Sequence, residues 1–432
     1  MKKLLSLFFV LLFILPASAA GGFVRVSGGH FERDGKPYYF VGTNMWYGAI
    51  LGSEGRGGDR RRLCRELDYL KRNGIDNLRI LVGSDGEEGV RTKVEPTLQK
   101  APGVYNDTIL AGLDYLLAEM GKRGMVAVLY LNNSWEWSGG YGYYLEQAGA
   151  GKAPQTDVDG YPAFMDFVSQ FSTNTKAQQL FYDYVRFIIS RTNRYTGRPY
   201  RDDPAIMSWQ IGNEPRAFKK ELLPDFERWV GKTAALIRSL DANHLISLGS
   251  EGLWGCEMDI NSWARMCADS NVDYCNVHLW PYNWGWAAKD RLREDLNKAE
   301  TNTKVYIDRH LRVCDSIGKP LVMEEFGYPR DGFGFTPGSP TTARDDYYRY
   351  VFSLVAGNAK SGGKFAGCNF WAWGGYAHPR HEHWQRGDDY CGDPSQEAQG
   401  LNSVFAVDRS TMKVVKEGMR NIKKITKCRR GE

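Results

Sequence analysis

Short apolar runs alternate with amphipathic segments along most of the chain. Eight runs have the length and composition of buried strands, and they lie at 39–43, 77–82, 126–131, 206–211, 245–249, 274–280, 320–326 and 365–373. The segments between them carry apolar residues at helical spacing, at 59–73, 107–122, 176–195, 219–240, 303–317, 341–359 and 412–426. Eight strands in alternation with helices predict an α/β fold, a (β/α)8 or TIM barrel.

Two further patterns refine this picture. Residues 23–43 alternate in polarity around Asp34 and Gly35, which predicts an N-terminal hairpin before the barrel. The longest connections follow strands and are rich in Gly, Trp, Tyr and Asn; they span 132–170, 250–272, 281–300 and 374–410. In a TIM barrel these are the βα loops, which build the site at the carboxyl end of the strands.

The first twenty residues differ from the rest of the chain. Two lysines precede an apolar run at 4–16, and Ala17, Ser18 and Ala19 follow it. This pattern predicts a secretory signal peptide at 1–20 and a secreted or periplasmic protein. A membrane anchor is the alternative, but the run is short for a span, and we expect no membrane span in the mature chain. No Pro-, Ser- or Gly-rich linker follows, so we expect 21–432 to form a single domain.

Charge and cysteine content narrow the possible functions. The net charge of +5 falls to about +3 without the two signal-peptide lysines, and basic residues are scattered, so no nucleic-acid partner is indicated. We expect a monomer.

Eight cysteines in an exported chain allow one to four disulfides of undetermined pairing. No CxxC pair is present, which argues against a zinc site built on cysteine.

Two glutamates lie where strands are predicted to end. Glu214 follows the fourth run and Glu325 ends the seventh. Retaining hydrolysis of a glycosidic bond needs two carboxyl groups about 5 to 5.5 Å apart, one protonated and one ionised. Strands four and seven face one another across a barrel, so these groups can meet there. Asn213 can orient the acid and bond a sugar hydroxyl.

The segment Asn213 to Pro215 also has a plain structural interpretation. An Asn followed by Glu and Pro is typical of a helix start, with Asn as the cap and Pro in the first turn. A single glutamate at a strand end is equally ordinary. The presence of Glu214 and Glu325 at the ends of two facing strands favours a catalytic interpretation over the structural one.

The surroundings of these glutamates resemble glycoside hydrolase family 5, most closely its endo-β-1,4-mannanase branch. The motifs that carry the resemblance are GNEPR around Glu214 and EEFG around Glu325. The resemblance implies that Glu214 is the general acid/base and Glu325 the nucleophile. Glu324 should point to the other side of its strand and is not expected to be the nucleophile.

Other positions match the family one by one. The resemblance implies that Arg79 steadies the nucleophile, that His278 lies in the site, that Trp371 forms the floor of the sugar subsite, and that Arg216 serves the leaving-group side. Trp280 departs from the family, because many members have a tyrosine there whose hydroxyl can bond the nucleophile. An indole offers only an N–H donor, so we expect Trp280 to line the site.

Tryptophans cluster at or just beyond the predicted strand ends. Indoles beside polar groups suit the apolar faces and hydroxyl edges of a neutral polysaccharide, although packing of the loops is the alternative for several of them. We assign substrate contact to Trp135 as well as to Trp280 and Trp371. The full set is Trp135, Trp137, Trp280, Trp284, Trp286, Trp371 and Trp373.

We expect no functional metal and no organic cofactor. The loop AHPRHEHW carries His378, His381 and His383, but this spacing is weak evidence for a zinc site. The nearby GDDYCGDP, with Asp388, Asp389 and Asp393, could hold Ca²⁺, although a solvated acidic loop is the simpler interpretation.

These observations together predict an exported, retaining endo-β-1,4-mannanase that acts on β-mannan polysaccharide or manno-oligosaccharides. An endo-β-1,4-glucanase and an exo-acting β-mannanase of the same fold are the alternatives within enzymes. A non-catalytic glycan-binding protein and a metal-dependent barrel hydrolase remain open as well, since fold alone does not determine function.

Overall fold

A computed structural model describes residues 22–428, so the expected signal peptide lies outside the described residues. Eight parallel strands form one sheet. They are β1 (Phe40–Asn44), β2 (Asn77–Leu81), β3 (Val126–Tyr130), β4 (Ile206–Gln210), β5 (Leu245–Ser247), β6 (Cys275–Leu279), β7 (Leu321–Phe326) and β8 (Phe365–Phe370). Their spatial order is β5-β4-β3-β2-β1-β8-β7-β6. Hydrogen bonds from the Asp273 nitrogen to the Ile246 oxygen (2.9 Å) and from the His278 nitrogen to the Glu251 oxygen (3.4 Å) link the two outer strands.

Helices follow the strands and complete the (β/α)8 barrel that the sequence predicts. One hydrophobic core joins them to the sheet. The main helices are α1 (Arg60–Arg72), α2 (Asp107–Lys122), α3 (Thr175–Ile189), α4 (Leu223–Leu240), α5 (Ile260–Ala268), α6 (Leu296–Ile317), α7 (Thr342–Ser361) and α8 (Arg409–Cys428). Between residues 22 and 428 no helix is both long and apolar enough to cross a membrane.

Helix α5 was not predicted from the sequence, because it lies inside the segment 250–272 that we interpreted as a βα loop. This helix has only nine residues, so its apolar pattern covers little more than two turns. Asp259 caps it by accepting hydrogen bonds from the nitrogens of Asn261 (2.9 Å) and Ser262 (3.3 Å). The long loop 132–170 also contains helices, Gly140–Ala148 and Tyr161–Ser169.

The predicted N-terminal hairpin is confirmed. Strands His30–Arg33 and Lys36–Pro37 pair around Asp34 and Gly35, which both have positive φ, as a tight hairpin turn requires. A third strand, Arg25–Ser27, extends the hairpin into a small sheet.

The cysteines are not joined by disulfides in the described part of the chain. Seven are free thiols and most are buried in the barrel wall; they are Cys64, Cys256, Cys267, Cys275, Cys314, Cys368 and Cys391. The one to four disulfides that the composition allowed are therefore not formed among these residues. Their spacing in sequence carried no information about the distances between their Cα atoms.

Candidate active site

The backbone around Glu214 is held by two neighbouring loops. The Glu214 nitrogen donates to the oxygen of Gly249 (2.8 Å), and the Asn213 nitrogen donates to the oxygen of Asn132 (2.7 Å). Glu214 has φ of +50°, an unusual conformation for a residue with a side chain. The residues after β4 therefore do not start a helix, and α4 begins only at Leu223.

The Glu214 carboxyl is buried and bonded at both oxygens. The indole nitrogen of Trp135 donates to Oε2 (2.5 Å), and Nδ1 of His278 lies 2.8 Å from Oε1. Burial raises the pKa of Glu214, while the hydrogen bond from Trp135 and the charge of Arg216 oppose that rise. A carboxyl with a raised pKa is suited to donate a proton near neutral pH.

Arg79, at the centre of the barrel mouth, connects Glu325 to the neighbouring strands. One guanidinium nitrogen donates to Oε1 of Glu325, and others donate to Oδ1 of Asn213 (2.9 Å) and Oε1 of Gln210 (2.7 Å). The guanidinium also lies 4.4 Å from the ring centroid of Tyr130. Arg79 is fully buried, so these contacts fix it in one position and hold the carboxyl it contacts.

His278 lies between the two carboxyls. Its Nδ1 is 2.8 Å from Glu214 and 3.4 Å from Oε2 of Glu325. One oxygen of each carboxyl and one ring nitrogen of His278 all lie within 4.8 Å of one another. Burial and the nearby Arg79 lower the pKa of His278 well below its usual value, so the ring is neutral. The two carboxyls are therefore close enough for both to contact one reacting centre.

The charge of Arg79 distinguishes the two carboxyls. Burial raises the pKa of Glu325, as it does that of Glu214, and each ionised group disfavours ionisation of the other. Arg79 donates directly to Glu325 and contacts Glu214 only through other groups. The direct bond from Arg79 therefore favours a negative charge on Glu325 more than on Glu214.

Glu324 points away from the pocket, into the barrel interior. It accepts hydrogen bonds from the Gln210 amide (2.5 Å) and the Tyr274 hydroxyl (2.9 Å), and another from Asn276. The period of two along β7 separates the two adjacent glutamates as expected, and only Glu325 lines the cavity.

Aromatic side chains form much of the wall of a cavity of about 330 Å³ above the carboxyls. Trp371 is almost fully buried and meets Trp280 edge-on, with 6.1 Å between ring centroids. Trp135 and Trp284 also line the cavity. Trp373 does not, because its indole nitrogen donates to buried Glu66 (3.0 Å), a packing role.

Glu251 is a site residue that sequence reasoning missed. It follows β5 and lines the cavity, with Oε2 3.4 Å from Arg216. Burial, and then the charge of Glu214, raise its pKa to about 8. The rule that picked out Glu214 and Glu325, a carboxylate at a strand end, applies equally to Glu251 and could have found it.

Two further carboxylates come from the long loops. Glu136 lies in the loop after β3 and accepts hydrogen bonds at Oε2 from the nitrogen (2.9 Å) and hydroxyl of Thr156, while no described group bonds its Oε1. Glu397 comes from the loop after β8, and burial raises its pKa to about 8. No signal in the sequence placed Glu397, because it lies far beyond the end of its strand.

Side chains that could bind a metal ion converge at the cavity. Within residues 22–428, one group of His, Cys, Asp and Glu brings three ligand atoms close together, and it is the trio of Glu214, His278 and Glu325. The guanidinium of Arg79 donates to this trio, and a permanent positive charge there opposes a divalent cation.

The histidine and aspartate loop has protein partners instead. Asp388 accepts from Arg380 (3.0 Å) and lies 2.8 Å from Nδ1 of His381. Asp393 is fully buried and accepts from backbone nitrogens including those of Gly400 (2.8 Å) and Asn402 (2.9 Å). The interpretation of this segment as a solvated acidic loop is therefore wrong for these two carboxylates, which stabilise the loop from within, whereas Asp389 is exposed.

Comparison with known proteins identifies the family. The model of the β-mannosidase-like group of glycoside hydrolase family 5 matches residues 21–427. The chain belongs to this family. It is therefore a glycoside hydrolase, and the resemblance noted in its sequence is confirmed.

Relatives of this family 5 enzyme cover most of its length. It is 31% identical to putative mannan endo-1,4-beta-mannosidase 9 of Oryza sativa subsp. japonica, over 82% of each chain. It is 29% identical to mannan endo-1,4-beta-mannosidase 7 of Arabidopsis thaliana, over 85% of this chain and 84% of the relative. The crystal structure of a glycoside hydrolase family 5 mannosidase from Rhizomucor miehei superimposes with a TM-score of 0.86 at 31% identity, covering 94% of this chain and 99% of the other.

Proposed function

We propose that the protein is a retaining endo-β-1,4-mannanase that hydrolyses internal linkages of mannan, glucomannan or galactomannan. The observation that carries the proposal is the approach of Glu214 and Glu325 to within 4.8 Å, with Arg79 bonded to Glu325 alone of the two. This arrangement supports one ionised and one protonated carboxyl, as double displacement needs.

The reaction has two steps. Glu325 attacks the anomeric carbon and forms a covalent glycosyl ester, while Glu214 gives its proton to the departing glycosidic oxygen. Glu214, now ionised, then takes a proton from water, and the resulting hydroxide attacks the anomeric carbon and releases Glu325. Two inversions give a product with the original configuration.

The surrounding residues position the reacting groups. Arg79 holds the Glu325 carboxylate, and Asn213 is placed by Arg79 so that its amide nitrogen can meet a sugar hydroxyl. Trp371 lies under the sugar ring next to the scissile bond, and no described group bonds its indole nitrogen. Arg216 and Trp280 line the pocket on the walls from the loops after β4 and β6.

The substrate class is inferred from the relatives. The rice and Arabidopsis proteins are named mannan endo-1,4-beta-mannosidases. A neutral polymer also fits the indole-rich cavity. The N-terminal pattern supports export, and the one large hydrophobic core of the described residues supports one catalytic domain over 21–432.

Exo action is the second candidate, and one observation favours it. The loop after β8 contributes Pro394, Gln396 and Glu397 to the cavity wall, which Glu136 from the loop after β3 also lines. Oxygens of Gln396 and Glu397 that are buried have no described hydrogen-bond partner. Such groups could accept hydrogen bonds from the terminal hydroxyls of a chain end, which an internal residue of a polymer lacks.

Product analysis tests the proposal. The mature protein and its Glu325→Ala variant are incubated separately with linear β-mannan and with cellulose, and soluble products are separated by length. We expect manno-oligosaccharides of mixed length from the wild type alone. Mannose or mannobiose alone, from the first time points, would establish exo action. Products from cellulose only would indicate a glucanase, and no products from either polymer would favour a non-catalytic glycan-binding protein.

A further inference from the structure

A second cavity, of about 410 Å³, lies between the loops after β2 and β8. It adjoins the catalytic pocket. Arg91 lines the second cavity, and the next residue, Thr92, lines the first. Arg91 also bonds Asp157 (3.0 Å), which follows Thr156 of the catalytic pocket. A chain leaving the catalytic pocket on this side therefore meets the second cavity next.

The cavity contains a fixed aromatic platform. The indole of Trp384 stacks on Tyr390 with 4.5 Å between ring centroids and an interplanar angle of 8°. Its nitrogen donates to the oxygen of Asp388 (3.2 Å). The Tyr390 hydroxyl donates to the oxygen of Glu95 (2.6 Å), so the ring beneath Trp384 is itself anchored. Tyr390 covers one face of the indole, which leaves the other face to the cavity.

The polar groups of the cavity are arranged in neutral pairs. Arg386 donates to both oxygens of Glu95 (2.6 and 2.9 Å), and Arg91 is paired with Asp157. Their charges are therefore largely compensated, which disfavours a phosphate or an acidic polysaccharide. The guanidinium of Arg386 and the amide of Gln385 remain exposed as hydrogen-bonding groups.

We propose that this cavity is a second carbohydrate-binding site, which takes a neutral β-1,4-linked glycan with one sugar ring against Trp384. The proposal rests on the proposed function, because it assigns the outer site to a polymer of the same class as the substrate. The apolar indole can pack on the C–H face of a sugar ring. The uncharged amide and the charge-compensated guanidinium beside it can donate to the hydroxyl groups at the edge of the ring. The shared rim at Arg91 and Thr92 makes it an extension of the catalytic groove toward the loops after β2 and β8.

Affinity electrophoresis tests binding without turnover. The inactive Glu325→Ala protein and its Trp384→Ala and Gln385→Ala double variants are run in native gels that contain soluble galactomannan. We expect the apparent Kd to rise about threefold or more for the Trp384 variant and to rise less for the Gln385 variant. The control is Tyr195→Ala in the same background, an exposed aromatic that lines neither cavity. Equal retardation of all four proteins would overturn the proposal.

A substrate-length ratio provides the second measurement and corrects for any loss of folded enzyme. For active enzyme with Trp384→Ala, the ratio of kcat/KM on long-chain mannan to that on mannotriose should fall about threefold or more. Tyr195→Ala should leave the ratio unchanged. An unchanged ratio in the Trp384 variant would contradict the outer site while leaving mannan hydrolysis intact. Failure of the proposed function would look different, because the wild type would then cleave neither substrate.

Discussion

The indole nitrogen of Trp135 donates a 2.5 Å hydrogen bond to Oε2 of Glu214. An indole can only donate, so this bond favours the ionised carboxylate and lowers its pKa against the effect of burial. Trp135→Phe removes the donor, and the pKa of Glu214 should rise. The alkaline limb of kcat/KM, which reports loss of the proton from Glu214, should move to higher pH. A pH profile on mannotriose measures this, and movement to lower pH would contradict the assigned role.

Glu251→Gln should move the alkaline limb of kcat/KM to lower pH. Glu251 has a pKa of about 8, and its charge above that pH holds the proton on Glu214. The variant removes this charge and leaves Arg216 less compensated, and both changes lower the pKa of Glu214. Glu257→Gln is the matched comparison, since this more exposed carboxylate also lies near Arg216 (3.5 Å). It should give a smaller shift in the same direction. A larger shift from Glu257→Gln would show that Glu251 is not the coupled group.

The nucleophile can be identified by covalent trapping. A 2-deoxy-2-fluoro-β-mannoside with a good leaving group should form a stable ester with Glu325, located by mass spectrometry of the peptides. Glu325→Gln should lose about 10³-fold or more in kcat and should not be labelled. Glu324→Gln is the control, and its labelled peptide should still carry the sugar on Glu325. A label on Glu324 would reverse the assignment.

Replacement of Arg79 should shift the acid limb of the pH profile of kcat/KM. The nucleophile must be ionised, and the guanidinium favours that form of Glu325. Arg79→Met should raise the pKa of Glu325. The acid limb of the pH profile should therefore move to higher pH, by about one unit or more. Arg79→Lys keeps the charge without the planar fork and should shift the limb less. An acid limb that stays in place in both variants would exclude this role for Arg79.

Chelation distinguishes the proposed metal-independent mechanism from that of a metal-dependent barrel hydrolase. Arg79 already supplies a positive charge to the carboxyls. We therefore expect kcat and KM on mannan to be unchanged after exhaustive treatment with EDTA and gel filtration. Loss of activity that is restored by a divalent cation would instead place an ion at Glu214, His278 and Glu325.

The barrel was predictable because its signals are local and repeated. Each strand is a short apolar run between helical patterns, and the predicted strand ends agree with the observed ones to within a few residues. Glu214 and Glu325 were found for the same reason, since each directly follows or ends such a run. The helix α5 was missed because nine residues give too short a pattern.

The outer parts of the site could not be predicted in this way. Glu397 and Trp384 reach their cavities through a loop that begins after β8, and contacts distant in sequence determine its path. One such contact is the pair of hydrogen bonds from buried Arg330 to Asp408, across 78 residues. Periodicity carries no information about contacts of this kind.

The close packing of Gly249 against Gly212 has a consequence for redesign of the enzyme. A side chain at position 249 would place its first carbon 1.7 Å from the oxygen of Gly212, and the oxygen of Gly249 itself holds the backbone of Glu214. The location of Glu214 is thus set by main-chain atoms that tolerate no added volume. Redesign of substrate preference should therefore leave positions 212 and 249 unaltered.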